Sequence, residues 1–307
     1  MKHLLKLMDL TAEEIIELLN IADQLKFEQK NGIEHRMLSG KTLGMIFSKA
    51  STRTRVSFEV GMYQLGGNAI FLTDNETQIG RGEPIEDTAR VLSRYVDGIM
   101  IRTFKQSDVE NLAAYGTIPI INGLTDYCHP CQVLADLMTI REIKKSFKGL
   151  KVCFIGDGNN MANSLIVGCI KMGMKIAICC PNDYRPDAAL MEWGFKLGML
   201  EVTDDLKKSA LGSDVLYTDV WASMGQEHER AKRIKAFSGY QINDEIMSIA
   251  NEDAIVLHCL PAHKGEEITA EVFEKHADEI FEEAENRLHA QKAVLAKVMG
   301  NYSYKNK

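Results

Sequence analysis

Short apolar runs alternating with helix-length segments are the feature of this 307-residue chain that most constrains its fold. Thr42–Phe47, Ala69–Leu72, Gly98–Arg102 and Ile118–Ile121 read as strands. Helices are expected from about Thr54 to Leu65, where Gly66-Gly67 ends the pattern, and near Ile85–Tyr95. Such alternation predicts a parallel sheet covered on both faces, with ligands at the carboxyl ends of the strands. Ahead of it, Thr11 and Glu14 have the spacing of a capping box. They open a helix whose Ile15, Leu18, Leu19 and Ala22 share one face and which should stop at Gly32.

The pattern restarts at Lys151. Val152–Ile155 reads as a buried strand, Ala162–Met172 as a helix and Lys175–Cys180 as a further strand. Val215–Thr218 and Ala254–Leu257 complete a second strand series, and Phe281–Val298 reads as a long closing helix. The charged stretch Arg141–Lys148 ends in Gly149, which places a boundary there. The expected fold is therefore α/β, with two doubly wound parallel-sheet domains at 1–148 and 149–307. The closing helix, about 284–300, is expected to pack back on the first domain. Two such sheets side by side make an interdomain cleft, the natural place for an active site.

Charge narrows the partners. With 36 basic and 43 acidic side chains the net charge is −7, which leaves no basic footprint for nucleic acid or an anionic membrane. No apolar run approaches the roughly 18–20 residues of a membrane span. The start of the chain lacks the apolar stretch and cleavage site of a secretory signal. Seven cysteines, an odd number, lie mostly in apolar segments such as those holding Cys153, Cys169, Cys179 and Cys180. They read as reduced small hydrophobes in a cytoplasmic protein. A small-molecule substrate is the expectation.

Several constellations sit where chemistry is expected. Ser51-Thr52-Arg53-Thr54-Arg55 joins a strand to a helix start. Its hydroxyls, N-terminal amides and two guanidiniums suit a phosphate-like dianion. Arg102 ends another strand at the same sheet edge, and His129-Pro130-Cys131-Gln132 offers groups that can bind a planar carbonyl or amide. Cys128 and Cys131 form C-x-x-C, but no second metal-ligand pair accompanies it, and it lies deep in a long chain rather than at the start of a small βαβ unit. Gly156-Asp157-Gly158-Asn159-Asn160 follows a strand as a dinucleotide fingerprint would. Met161 replaces the third glycine, and no acidic residue ends the next strand. A tight turn exposing the Asn159 and Asn160 amides fits better than NAD binding. Asp219 with Ser223-Met224-Gly225 would suit an ammonium group, and His258-Cys259-Leu260-Pro261 brings a thiol to a strand end.

Taken in order, these segments resemble the aspartate/ornithine carbamoyltransferase family over almost the whole chain. Gln78 ahead of Glu86-Asp87-Thr88-Ala89-Arg90, and Glu283-Ala284-Glu285-Asn286-Arg287, add to the match. The second-half motifs look like the ornithine branch. An aspartate acceptor would call for further cations, and putrescine enzymes lack the serine–methionine–glycine run. Ala50 departs from the proline that usually precedes the Ser51 motif, which loosens the loop without removing a phosphate ligand.

The resemblance implies transfer of the carbamoyl group of carbamoyl phosphate to the side-chain amine of L-ornithine, giving L-citrulline and phosphate, with no metal or cofactor. It places Ser51, Thr52, Arg53, Thr54 and Arg102 on the phosphate and Gln78 in the carbamoyl phosphate site. Arg102, Thr54 and His129 polarise the carbonyl oxygen, and Gln132 holds the carbamoyl amino group. Asn160, Asp219, Ser223 and Met224 clamp the ornithine α-groups, while Cys259, Leu260 and Arg287 line the reacting end. The family's trimer, with Gln78 reaching a neighbour's site, is implied as well. Another amine acceptor (putrescine or aspartate) and, more remotely, an NAD-dependent dehydrogenase are the alternatives.

Overall fold

A computed structural model describes residues 1–73, 82–222 and 229–304. The chain forms two compact units, one of Met1–Met138 with Asn286–Lys307 and one of Thr139–Glu285.

The first unit opens with α1 (Ala12–Lys30), where Thr11 and Glu14 exchange the two bonds of a capping box. Then come β1 (Thr42–Phe47), α2 (Thr52–Gln64), β2 (Asn68–Thr73), α3 (Ile85–Leu92), β3 (Gly98–Arg102), α4 (Gln106–Tyr115), β4 (Ile120–Leu124) and α5 (Pro130–Lys144), whose last turns enter the second unit. The strands form one parallel sheet in the order β2-β1-β3-β4. β3 is buried throughout and β1 nearly so, as apolar runs of central strands require, whereas the edge strand β2 is half-exposed. Ile46, Ile99, Ile101 and Ile120 pack with Ala89, Val109 and Leu112 in one core.

The second unit carries β5 (Lys151–Ile155), α6 (Asn160–Lys171), β6 (Lys175–Cys179), α7 (Ala188–Lys196), β7 (Leu200–Thr203), α8 (Leu206–Ala210) and β8 (Val215–Thr218). It continues with α9 (Arg230–Phe237), α10 (Asp244–Ile249), β9 (Ile255–His258) and α11 (Ala270–Lys275). The closing helix α12 (Ala277–Gly300) begins here and ends in the first unit. The five strands run parallel in the order β7-β6-β5-β8-β9. Cys153, Ile155, Leu216 and Val256 contribute to the core over which the helices pack.

Each sheet reverses its direction of growth once. In the first unit the chain adds β2 on one side of β1 and then β3 on the other; in the second it adds β6 and β7 beside β5 and then β8 on the opposite side. The gap between β1 and β3, and that between β5 and β8, are thus the topological switch points, where the loops diverge and leave a crevice. Among the described residues, no helix is long and apolar enough to cross a membrane.

Candidate active site

The Ser51 motif stands at the first switch point. Ser51 is the N-cap of α2, its Oγ accepting from the Thr54 amide at 3.2 Å and lying 3.0 Å from Thr54 Oγ1. Thr54 is fully buried, and its hydroxyl is a node: Arg102 Nη1 donates to it at 3.4 Å from the end of β3, and Arg287 Nη2 from α12. Arg287 Nη1 donates to Gln132 Oε1 at 3.0 Å, and Gln132 Nε2 donates to Asp136 Oδ1 at 2.9 Å. Ser51, Thr54, Arg102, Gln132 and Arg287 therefore form one connected set. Two buried guanidiniums beside one hydroxyl suit an anion with a polar carbonyl attached, since buried cations require compensation.

His129 immediately precedes α5 and is buried. Burial first, then the cationic Arg287 and Arg102, hold its pKa well below the usual imidazole value. It is neutral at physiological pH and so able to donate a hydrogen bond to a carbonyl oxygen while carrying no charge of its own.

Arg55 corrects the expectation of two guanidiniums in the Ser51 motif. It pairs with Glu59 one turn on at 3.0 Å and lies over the Phe71 ring at 3.7 Å, whereas Arg53 is half-buried at the head of α2. Lys49 is a buried cation beside the motif that went unanticipated. It pairs with Asp126 and sits 4.4 Å from the centre of the Phe104 ring. Its place two residues before Ser51 was the available signal. The C-x-x-C thiols are buried and raised to about 12, so neither is a thiolate at neutral pH.

The second switch point gathers the other set. Asp219 follows β8, and its Oδ1 accepts from the Val220 amide at 2.8 Å and from Cys259 Sγ at 3.1 Å. Cys259 follows β9 and is the one cysteine that is not fully buried. Gly158 makes the tight turn after β5: its amide donates to Tyr184 O at 2.8 Å, and a Cβ there would lie 2.4 Å from the Arg185 carbonyl carbon. Asn159 is half-buried, and its side-chain carbonyl oxygen caps α6 by accepting from Met161 N at 2.9 Å. Asn160, the first residue of α6, is half-buried.

His263, Glu266 and Glu267 bring potential donor atoms within 4.8 Å of one another. Arg230 grips Glu266, and His258 Nε2 holds Glu267, which makes this an ion-pair cluster. Gln78, Ser223 and Met224 lie outside the described residues.

Comparison with known proteins decides between readings of this geometry. Residues 2–142 match the carbamoyl-P binding domain of aspartate/ornithine carbamoyltransferase, and residues 148–298 match its Asp/Orn binding domain. The chain belongs to the aspartate/ornithine carbamoyltransferase family. An ornithine carbamoyltransferase of Carboxydothermus hydrogenoformans is 56% identical over 307 residues, 97% of this chain and 98% of that one. One of Syntrophotalea carbinolica is 57% identical over 299 residues, covering 97% and 99%. Among solved structures, the ornithine carbamoyltransferase of Pyrococcus furiosus superposes with a TM-score of 0.93 at 51% identity, covering 98% of each chain. The anabolic enzyme of Campylobacter jejuni gives 0.91 at 44%, covering 98% of this chain and 100% of that one. The family assignment fits the broken glycine fingerprint, because Gly158 serves a tight turn and Asn159 caps α6.

Proposed function

We propose that this chain transfers the carbamoyl group of carbamoyl phosphate to the side-chain amine of L-ornithine, yielding L-citrulline and phosphate in arginine metabolism. The observation that carries the reading is the buried set in which Arg102 and Arg287 converge on Thr54 while Arg287 also holds Gln132. The phosphate is bound by Ser51, Thr52, Arg53, Thr54 and Arg102. The carbonyl oxygen, which becomes an oxyanion on attack, is met by Arg102, Thr54 and neutral His129; donors aimed at developing charge in a dry site favour the transition state over the ground state. Gln132 takes the carbamoyl amino group. Asn160, Asp219, Ser223 and Met224 hold the ornithine α-groups, and Cys259, Leu260 and Arg287 flank the reacting end.

The attacking amine enters uncharged. Its nitrogen bonds to the carbonyl carbon, the bond from that carbon to the bridging oxygen breaks from the tetrahedral intermediate, and the nitrogen passes a proton to the departing phosphate. Carbamoyl phosphate is already activated, so no acyl-enzyme is required. A citrulline assay with carbamoyl phosphate and, in turn, ornithine, putrescine and aspartate tests the reading: turnover with ornithine alone supports it, and preference for either other amine refutes the assigned acceptor.

We further place the protein in the cytoplasm as a homotrimer whose sites are completed by Gln78 of a neighbouring copy. Val56, Val60 and Tyr63 recur along one face of α2 and are exposed, as is Ile70 on the edge strand β2, an apolar surface that assembly would cover. Mixing inactive Gln78→Ala with inactive Arg53→Ala subunits should restore activity in hybrids. Verified mixed trimers without activity would refute shared sites.

A further inference from the structure

The end of β9 is anchored by hydrogen bonds from its backbone and from the His258 ring. His258 is buried, and its backbone amide donates to Glu283 Oε2 at 2.8 Å, while Glu283 Oε1 accepts from the Tyr217 hydroxyl at 3.1 Å. Its ring is engaged on both sides. The Leu260 amide donates to Nδ1 at 2.9 Å, so Nδ1 carries no proton, and Nε2–H donates to Glu267 Oε1 at 3.0 Å. Glu267 is completely buried and also accepts from the His263 amide. Leu260 has φ +56°, in the left-handed region that a residue with a side chain occupies only when its surroundings hold it there. Between the two anchored residues sits Cys259, whose thiol reaches Asp219.

We propose that His258, locked in its Nε2–H tautomer by Glu267, is a positioning residue that holds Leu260 in the left-handed conformation and thereby presents Cys259 and Leu260 to the acceptor amine. Neither His258 nor Glu267 touches substrate. The carboxylate fixes which nitrogen is bare, the bare nitrogen fixes the Leu260 amide, and that amide sets the direction in which the chain leaves Cys259. The inference rests on the reading of Cys259 and Leu260 as acceptor-side groups.

Two substitutions separate positioning from mere packing. In His258→Asn the side-chain oxygen stands close to where Nδ1 stood and still accepts from the Leu260 amide; in His258→Gln the amide reaches toward Glu267 and that local acceptor is lost. The expected result is a split: His258→Asn keeps ornithine KM and kcat within about threefold of wild type, while His258→Gln raises ornithine KM and lowers kcat by about tenfold in kcat/KM, with carbamoyl phosphate KM unchanged. Iodoacetamide should report the same split at Cys259, since its alkylation rate follows the thiol's surroundings.

If the glutamine variant fails to fold, Glu267→Gln and Glu267→Leu carry the test. The first retains an acceptor for Nε2–H and should behave as wild type; the second should follow the expected His258→Gln phenotype. Equal kinetics for His258→Asn and His258→Gln, or wild-type kinetics for Glu267→Leu, would overturn the proposal. A Cys259→Ala variant with wild-type ornithine kinetics would instead overturn the acceptor-side reading on which it stands.

Discussion

Replacing Gly158 with alanine should damage both stability and acceptor binding, and the size of the effect follows from three distances. The added Cβ would lie 2.4 Å from the Arg185 carbonyl carbon, 2.4 Å from Pro186 N and 2.5 Å from Tyr184 O. Favourable contact begins near 3.5 Å, so the two backbones must separate by about 1 Å. All three obstacles are main-chain atoms, and no rotamer change relieves them. Overpacking of this kind costs about 1–3 kcal/mol, and parting the strands of chain also loses the bond from Gly158 N to Tyr184 O, worth about 1 kcal/mol. A total of roughly 2–4 kcal/mol corresponds to a fall in melting temperature of about 5–15 °C. Because Asn159 caps α6 and Asn160 begins it, the shift should also raise ornithine KM. Gly44→Ala is the control, since its Cβ would meet nothing nearer than Val96 at 3.6 Å and should cost under about 1 kcal/mol. Thermal unfolding and citrulline kinetics of both variants decide the matter. A Gly158→Ala protein that melts with wild type and keeps its ornithine KM would refute the close approach.

Arg53→Ala should remove a charge-assisted contact worth about 1.5–3 kcal/mol to the phosphate, weakening carbamoyl phosphate binding and collapsing turnover; wild-type affinity in a folded variant would move the phosphate elsewhere. Arg287→Lys keeps the charge but cannot reach Thr54 and Gln132 together, so carbamoyl phosphate KM should rise about tenfold, and an unchanged KM would show that the fork is dispensable. Cys259→Ser should retain some activity with altered ornithine affinity; a carbamoylated Cys259 detected by mass spectrometry during turnover, with a dead serine variant, would make the thiol a nucleophile instead. Lys292 is buried against Gln29, Gln64 and His35, and burial lowers its pKa from 10.5 to about 8. Between those values the unfolded chain binds the extra proton, so folding stability relative to Lys292→Met should rise as pH climbs from 8 to 10; denaturant titrations giving no slope would place the ammonium in a well-solvated setting.

The strand series was legible because central parallel strands are buried on both faces and must be written as unbroken apolar runs, as in Thr42–Phe47 and Gly98–Arg102. Leu200–Thr203 escaped for the complementary reason: it is a four-residue edge strand whose half-exposed face admits Glu201 and Thr203. Ser51 and Thr54 could be placed because cap chemistry is local. What Arg55 and Arg287 do could not be derived from spacing, because one is decided by a ring on the neighbouring strand and the other by partners 155 and 233 positions away. Glu267 carries no signal in the sequence and Glu283 only its place in the family segment; burial beside His258 gives them a structural role.

The division of the chain also sets an order of events during synthesis. Thr139–Glu285 is one uninterrupted stretch and can complete its sheet as soon as it is clear of the ribosome. The unit that leaves first cannot finish, because its last contributors are Asn286–Lys307. At about 5–20 residues per second, Met1–Met138 waits roughly 7–30 s while the intervening stretch is made. Until then Lys26 lacks Asn286, and Thr54 and Gln132 lack Arg287. A nascent chain is therefore without its full anion-binding set until Arg287 has been made, and a product terminated before that point is left with an open core, a natural substrate for chaperones and proteases.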